Sequence, residues 1–134
     1  MTLVDSNVLI DILSDDPVWL DWSVASLRRR GAVGAMFIND VIFAELSARM
    51  DSETELCQSL AELEVALART PLQALFIAGK AYQRYRSAGG VRTGVLPDFF
   101  IGAHAQVAQW PLLTRDVRRY RTYFPDVELI VPTA

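Results

Sequence analysis

The sequence predicts an α/β protein: a three-layer α/β/α sandwich on a short parallel sheet, with a helical hairpin inserted between strands. Two observations lead there. Short apolar runs at Leu3-Val4, Val33 to Ile38 and Pro111 to Thr114 are separated by stretches of helical periodicity. Helix start and stop signals, such as Asp16-Pro17, Thr70-Pro71 and Gly89-Gly90, fall between them. Strands linked by helices make a parallel sheet covered on both faces.

In order along the chain, Leu3-Val4 ends at Asp5, and Asp16-Pro17 supplies an N-cap and a first-turn proline for a helix stopping near Gly31. Val33 to Ile38 reads as the next strand, followed by a helix from about Asp40 to Arg49. Ser52 and Glu55 form a capping box ahead of Leu56, Leu60, Leu63 and Leu67, whose spacing marks one helical face. Thr70-Pro71 opens a second helix carrying Leu72, Leu75, Phe76, Tyr82 and Tyr85, so residues 52 to 88 read as the hairpin. Val91 to Leu96 reads as a flexible connection, Asp98 to Gln109 as a helix, and Pro111 to Thr114 as a strand. Val127 to Val131 makes an edge strand after the turn at Pro125.

At 134 residues and 51% hydrophobic, the chain is expected to form one domain, residues 1–134. The lone cysteine, Cys57, allows no internal disulfide, and between Leu56 and Leu60 it reads as a small buried hydrophobe. Asp5 and Asp11 interrupt any secretory apolar stretch, and Gly31 to Ile38 falls far short of the roughly 20 apolar residues that cross a bilayer. A soluble, cytoplasmic protein with no membrane partner is therefore expected. Net charge is −3, which disfavours a polyanionic partner on average, yet arginines cluster at Arg28 to Arg30 and again at Arg115, Arg118, Arg119 and Arg121. The first cluster reads as a solvated helix end before Gly31.

Asp5, Asp98 and Asp116 fall where a strand hands over to a turn or helix, and Glu45 lies in the helix after the second strand. A parallel sheet would bring all four toward its carboxyl edge, where such sheets bind ligands. Taken singly, each Asp has a plain reading as a helix cap. Glu45 does not fit a surface role, because Val41, Ile42 and Ala48 share its face. Asp98 likewise begins an apolar helix through Phe99, Phe100 and Ile101. Buried carboxylates without cations cost several kcal/mol each, so they either take up protons or hold a metal. With His104 on another face of its helix and read as structural, the set is oxygen-only, which suits Mg²⁺, with Mn²⁺ as substitute, and not zinc. Carboxylate-held Mg²⁺ is suited to phosphodiester cleavage by an activated water.

Val4-Asp5-Ser6-Asn7-Val8-Leu9-Ile10-Asp11, Ala44-Glu45-Leu46, Pro97-Asp98-Phe99-Phe100-Ile101-Gly102-Ala103-His104-Ala105 and Leu113-Thr114-Arg115-Asp116 occur in that order over nearly the whole chain. Together they resemble the motifs of PIN-domain proteins, especially the VapC toxins. The resemblance implies a PIN-like fold and a metal-dependent endoribonuclease. Asp5, Glu45, Asp98 and Asp116 would be its catalytic acids and metal ligands, supported by Asn7 and Thr114. It also implies a homodimer, an antitoxin partner and an RNA substrate. One departure is Arg119, where many relatives carry an acidic or polar residue; with Arg115 and Arg118 it is expected to contact or steer the RNA backbone, and Arg121 to help.

Two other readings compete. A PIN scaffold that has lost catalysis would act as a protein-binding module, although all four acids are present. Asp5-Ser6-Asn7 also resembles the opening motif of haloacid-dehalogenase-like phosphatases, but its second acid is Asn7 here and Lys80 is the only lysine.

Overall fold

The computed structural model describes residues 1–91 and 94–133. Five strands form one parallel sheet in the order β3-β2-β1-β4-β5: β1 (Thr2–Val4), β2 (Met36–Ile38), β3 (Val65–Leu67), β4 (Leu112–Leu113) and β5 (Leu129–Ile130). Leu3 pairs with Phe37 on one side and Leu112 on the other, which makes β1 central. Seven helices are described: α1 (Ser6–Leu13), α2 (Leu20–Val33), α3 (Asp40–Ser47), α4 (Glu53–Glu62), α5 (Leu72–Ser87), α6 (Leu96–Ala108) and α7 (Arg118–Tyr123). The α/β/α class expected from the sequence is the one found. No helix of the described residues is long and apolar enough to cross a membrane.

The first helix starts earlier than the sequence suggested. Asp5, with extended backbone, caps α1 by accepting from the Ser6 N–H, and Val8 and Leu9 of α1 are fully buried. Asp16 still caps, accepting from the N–H groups of Val18 and Trp19, but α2 begins only at Leu20 and runs through Gly31 to Val33. Thus Gly31 does not stop the helix, and Arg30 lies within its last turn with Nε donating to Thr2 Oγ1.

The expected hairpin over 52 to 88 is also interrupted. Glu64 adopts a left-handed backbone (φ 59°) that ends α4, and the next three residues pair with β2 as strand β3. Leu67 therefore leaves the helical face and is 49% exposed. Leu56 and Leu60 face inward as expected, but Cys57, one position round the helix, is exposed and not buried.

In α5 the buried stripe is Ala74, Ala78 and Ala81, not the large residues. Small side chains let α5 lie closely along α6, while Leu72 and Phe76 turn outward, 83% and 68% exposed. Tyr82 and Tyr85 do pack inward, against Phe99, and Tyr123 and Phe124 complete that aromatic cluster. Helix α6 begins at Leu96, two residues before Asp98, which sits in its first turn and does not cap it. Arg92 and Thr93, inside the connection expected at Val91 to Leu96, lie outside the described residues; Val95 beside them is buried.

The chain moves outward from β1 to β2 and β3, then returns to place β4 and β5 on the other side. The crevice between the carboxyl ends of β1 and β4 is the switch point of this sheet, where doubly wound folds accept ligands.

Candidate active site

Asp5 leaves β1 at that switch point, its N–H donating to the Leu113 carbonyl at 2.9 Å. Its side chain is 3% exposed and surrounded by donors. Oδ1 accepts from the Ser6 N–H at 2.8 Å. Oδ2 accepts from the Thr114 hydroxyl at 2.8 Å, the Tyr120 hydroxyl at 2.9 Å and the Asn7 amide at 3.4 Å. Burial still dominates and raises its pKa, against the hydrogen bonds from Thr114, Tyr120 and Ser6.

Asn7 and Thr114 tie the two strand ends together. Asn7 Nδ2 donates to Thr114 Oγ1 at 3.1 Å, and its Oδ1 accepts from the Arg115 N–H at 3.1 Å. Thr114 Oγ1 also accepts from the Asp116 N–H at 3.0 Å, which holds the turn that carries Asp116. Both residues therefore hydrogen-bond to Asp5, and Thr114 also to the turn of Asp116.

Helix α3 brings Glu45 to the same place, where its Oε1 accepts from the Ser6 hydroxyl at 3.1 Å. Burial, then the Asp5 charge, push the Glu45 carboxyl up to about 7. Asp98, from the first turn of α6, is pushed up to about 6 by burial and then Asp5, with Arg119 opposing. Asp116 acts on both Asp5 and Asp98. The four acids thus share one electrostatic field although 111 positions separate Asp5 from Asp116. Asp98 and Asp116 line a cavity of about 630 Å³ together with Tyr85, Arg118 and Arg119.

The arginines do not act as one patch. Arg118 and Arg121 are exposed. Arg115, expected at the substrate, instead forms a bidentate pair with the buried Asp11, through Nε at 2.7 Å and Nη2 at 2.9 Å. Ser23 donates to the same carboxylate at 2.8 Å, and the guanidinium lies over the Trp19 ring at 5.0 Å. Arg119 pairs with Asp98 and lies near the Tyr85 ring. His104 is buried, with Nδ1 3.2 Å from Asn39 Nδ2, in keeping with a structural role.

Sequence reasoning missed Asp11, Ser6 and Tyr120 as parts of this arrangement. Tyr120 carried a usable signal, since its spacing to Phe124 places both on one helical face, and both are buried. Asp11 carried none, because its partner lies 104 residues away.

Oxygen donors and an excess of carboxylates over touching cations fit a hard divalent ion. Among the described residues no three acids are gathered as ligands of one ion. Mg²⁺ is commonly held by one or two carboxylates and completes its shell with water and substrate phosphate.

Comparison with known proteins adds family and fold. The PIN domain model matches residues 2–125. No curated protein sequence matches significantly. The fold resembles that of VapBC2 from Rickettsia felis bound to a promoter DNA fragment, with TM-score 0.71, 16% identity and 97% of each chain covered. It also resembles DNA-bound VapBC from Salmonella typhimurium, with TM-score 0.70, 18% identity, and coverage of 97% of this chain and 96% of that one. A toxin–antitoxin complex from Klebsiella pneumoniae has TM-score 0.70, 20% identity, and coverage of 99% and 98%.

Proposed function

Given that this chain belongs to the PIN domain family, we propose that it is a metal-dependent endoribonuclease and the toxin of a toxin–antitoxin pair. The observation that carries this reading is the gathering of acids at the switch point of the sheet, where Ser6 links Asp5 to Glu45, Thr114 links Asp5 to the turn of Asp116, and Asp98 and Asp116 line one cavity. A structural role gives no reason to collect four acids there, since each raises the cost of ionising the next. In this reading the pocket formed by Asp5, Glu45, Asp98 and Asp116 would hold Mg²⁺, or Mn²⁺ in its place, through one or two of these carboxylates. When bound, such an ion would supply charge neutralisation on the phosphate oxygens and a lowered pKa for a coordinated water.

The chain's own residues prepare that chemistry. Thr114, Tyr120 and Ser6 keep Asp5 oriented, and Asn7 locks the β1 end to the β4 turn. Burial and then the Asp5 charge raise the Glu45 carboxyl to about 7 in the metal-free site, which suits it, of the four acids, to proton transfer with water. Exposed Arg118 and Arg121 draw the RNA backbone toward an otherwise repulsive pocket. The antitoxin partner is supported by similarity to VapBC and toxin–antitoxin complexes; the homodimer is a family expectation.

The test is cleavage of a labelled RNA by protein freed of any partner. Cleavage is expected with Mg²⁺ or Mn²⁺ and not in chelator, and Asp98→Ala is expected to abolish it while keeping the native circular dichroism. Metal-independent cleavage, or full activity of the variant, overturns the assignment. A protein-binding module without catalysis would instead show no Mn²⁺-dependent rise in melting temperature that Asp5→Asn removes.

A further inference from the structure

Helix α7 delivers two adjacent side chains to the acidic site. Tyr120 is fully buried and donates to Asp5 at 2.9 Å, which anchors the helix. Arg119, one residue earlier, directs Nη1 onto Asp98 Oδ2, and only 15% of its side chain is exposed. The Tyr85 ring, 5.9 Å from the guanidinium carbon, flanks it. Of the two ion pairs among the described residues, the other uses Arg115 on Asp11, so Arg119 is the guanidinium paired with one of the four site acids.

Charge is therefore divided across the site. On one side Asp5 and Glu45 are linked through Ser6 and carry hydrogen-bond donors but no ion pair among the described residues. On the other, Asp98 shares its cavity with Asp116 and already holds a positive group. A guanidinium on a carboxylate already neutralises its charge, which the neutral donors around Asp5 do not, and its own charge repels a dication nearby.

We propose that Arg119 is the pocket's built-in counter-cation on the Asp98 and Asp116 side, so that the site takes one divalent ion, on the Asp5 and Glu45 side. This rests on the metal-dependent reading above. Arg119 is a positioning residue: it fixes Asp98 and sets how many ions the acids share.

The test is Mn²⁺ binding to the full chain, free of partner and of RNA, by isothermal titration calorimetry and by electron paramagnetic resonance of the free ion. The wild-type chain is expected to bind one Mn²⁺. Arg119→Gln, which keeps length and polarity but removes the charge, is expected to bind a second ion or to bind the first at least about tenfold more tightly. Arg119→Lys, which keeps the charge, is expected to stay at one ion with near wild-type affinity, a rescue that a packing role does not predict. Two ions on the wild type, or an unchanged count and affinity in Arg119→Gln, overturns the inference and leaves the nuclease reading standing. If Arg119→Gln fails to fold, the wild-type count still decides between one ion and two. No binding to any of the three overturns the metal reading and this inference with it.

Discussion

Replacing Arg115 by Met distinguishes an arginine that holds the turn from one that meets RNA. Arg115 makes two short hydrogen bonds to Asp11, whose side chain is 1% exposed, and removing it leaves that carboxylate buried without its cation. Breaking a buried pair from one side costs about 3–5 kcal/mol. Two features lower that figure here. The Arg115 side chain is 27% exposed, so water reaches part of the pair, and the Ser23 hydroxyl still donates to Asp11 after the change. A loss of about 2–4 kcal/mol follows, or a fall in melting temperature of roughly 10 °C. Urea unfolding followed by circular dichroism measures it. Arg118→Met, exposed and in no ion pair among the described residues, serves as control and is expected within about 0.5 kcal/mol of wild type. Asp11→Leu combined with Arg115→Met is expected to recover part of the loss, because no unpaired charge then remains. A cost below about 1 kcal/mol for Arg115→Met, together with weakened RNA binding, would refute the clamp and return Arg115 to the substrate.

Stability in chelator is expected to fall as pH rises from about 4.5 to 7, since folded Glu45 keeps a proton in that window which the unfolded chain has released. The full linkage for a carboxyl moved from 4.5 to about 7 is about 3 kcal/mol, and solvent around the half-buried side chain reduces it to about 1–2 kcal/mol; the difference between wild type and Glu45→Gln across pH isolates it, and a flat or rising difference contradicts the burial argument. Gly102→Ala is expected to destabilise despite the better helix former, because its Cβ would stand 2.3 Å from the buried Phe124 ring. Overpacking of about 1–3 kcal/mol outweighs a helix gain of about 1 kcal/mol, and a thermal melt at or above wild type would mean that Phe124 has room to move.

What the sequence carried best was whatever depends on local pattern. The parallel sheet followed from apolar runs spaced by helices, and Asp5 and Asp116 sit just after β1 and β4 as expected. Asp98 instead follows helix α5, with no strand between the two among the described residues, and reaches the site from the first turn of α6. Capping at Asp5 and Asp16 could be read, but not which of two helices each would start, because α1 begins at once after β1 without the Pro signal that marks residue 17. Strand β3 was hidden because Val65, Ala66 and Leu67 continue a leucine spacing that suits a helix; the break comes from the backbone of Glu64, a residue with no special preference for left-handed geometry. The alanine face of α5 was hidden for the opposite reason. Large apolar residues dominate a periodicity argument, whereas here close approach of α6 selects the small ones and leaves Leu72 and Phe76 in solvent.

The arginine cluster shows why like charges near one another in sequence need not make a surface. Arg115 precedes α7 and folds back over Trp19 to reach Asp11, while Arg119 lies next to buried Tyr120 and turns toward Asp98. Arg118 and Arg121, three apart on one turn of helix, face outward together. Two of the four positive charges are thus spent inside the molecule, one fixing the turn that carries Asp116 and one restraining Asp98. The field that a polyanion meets outside is set by the other two, of which Arg118 lines the cavity together with Asp116. An acidic chain can therefore place positive charge where a phosphate backbone would approach, because folding assigns the internal arginines to buried or half-buried carboxylates first.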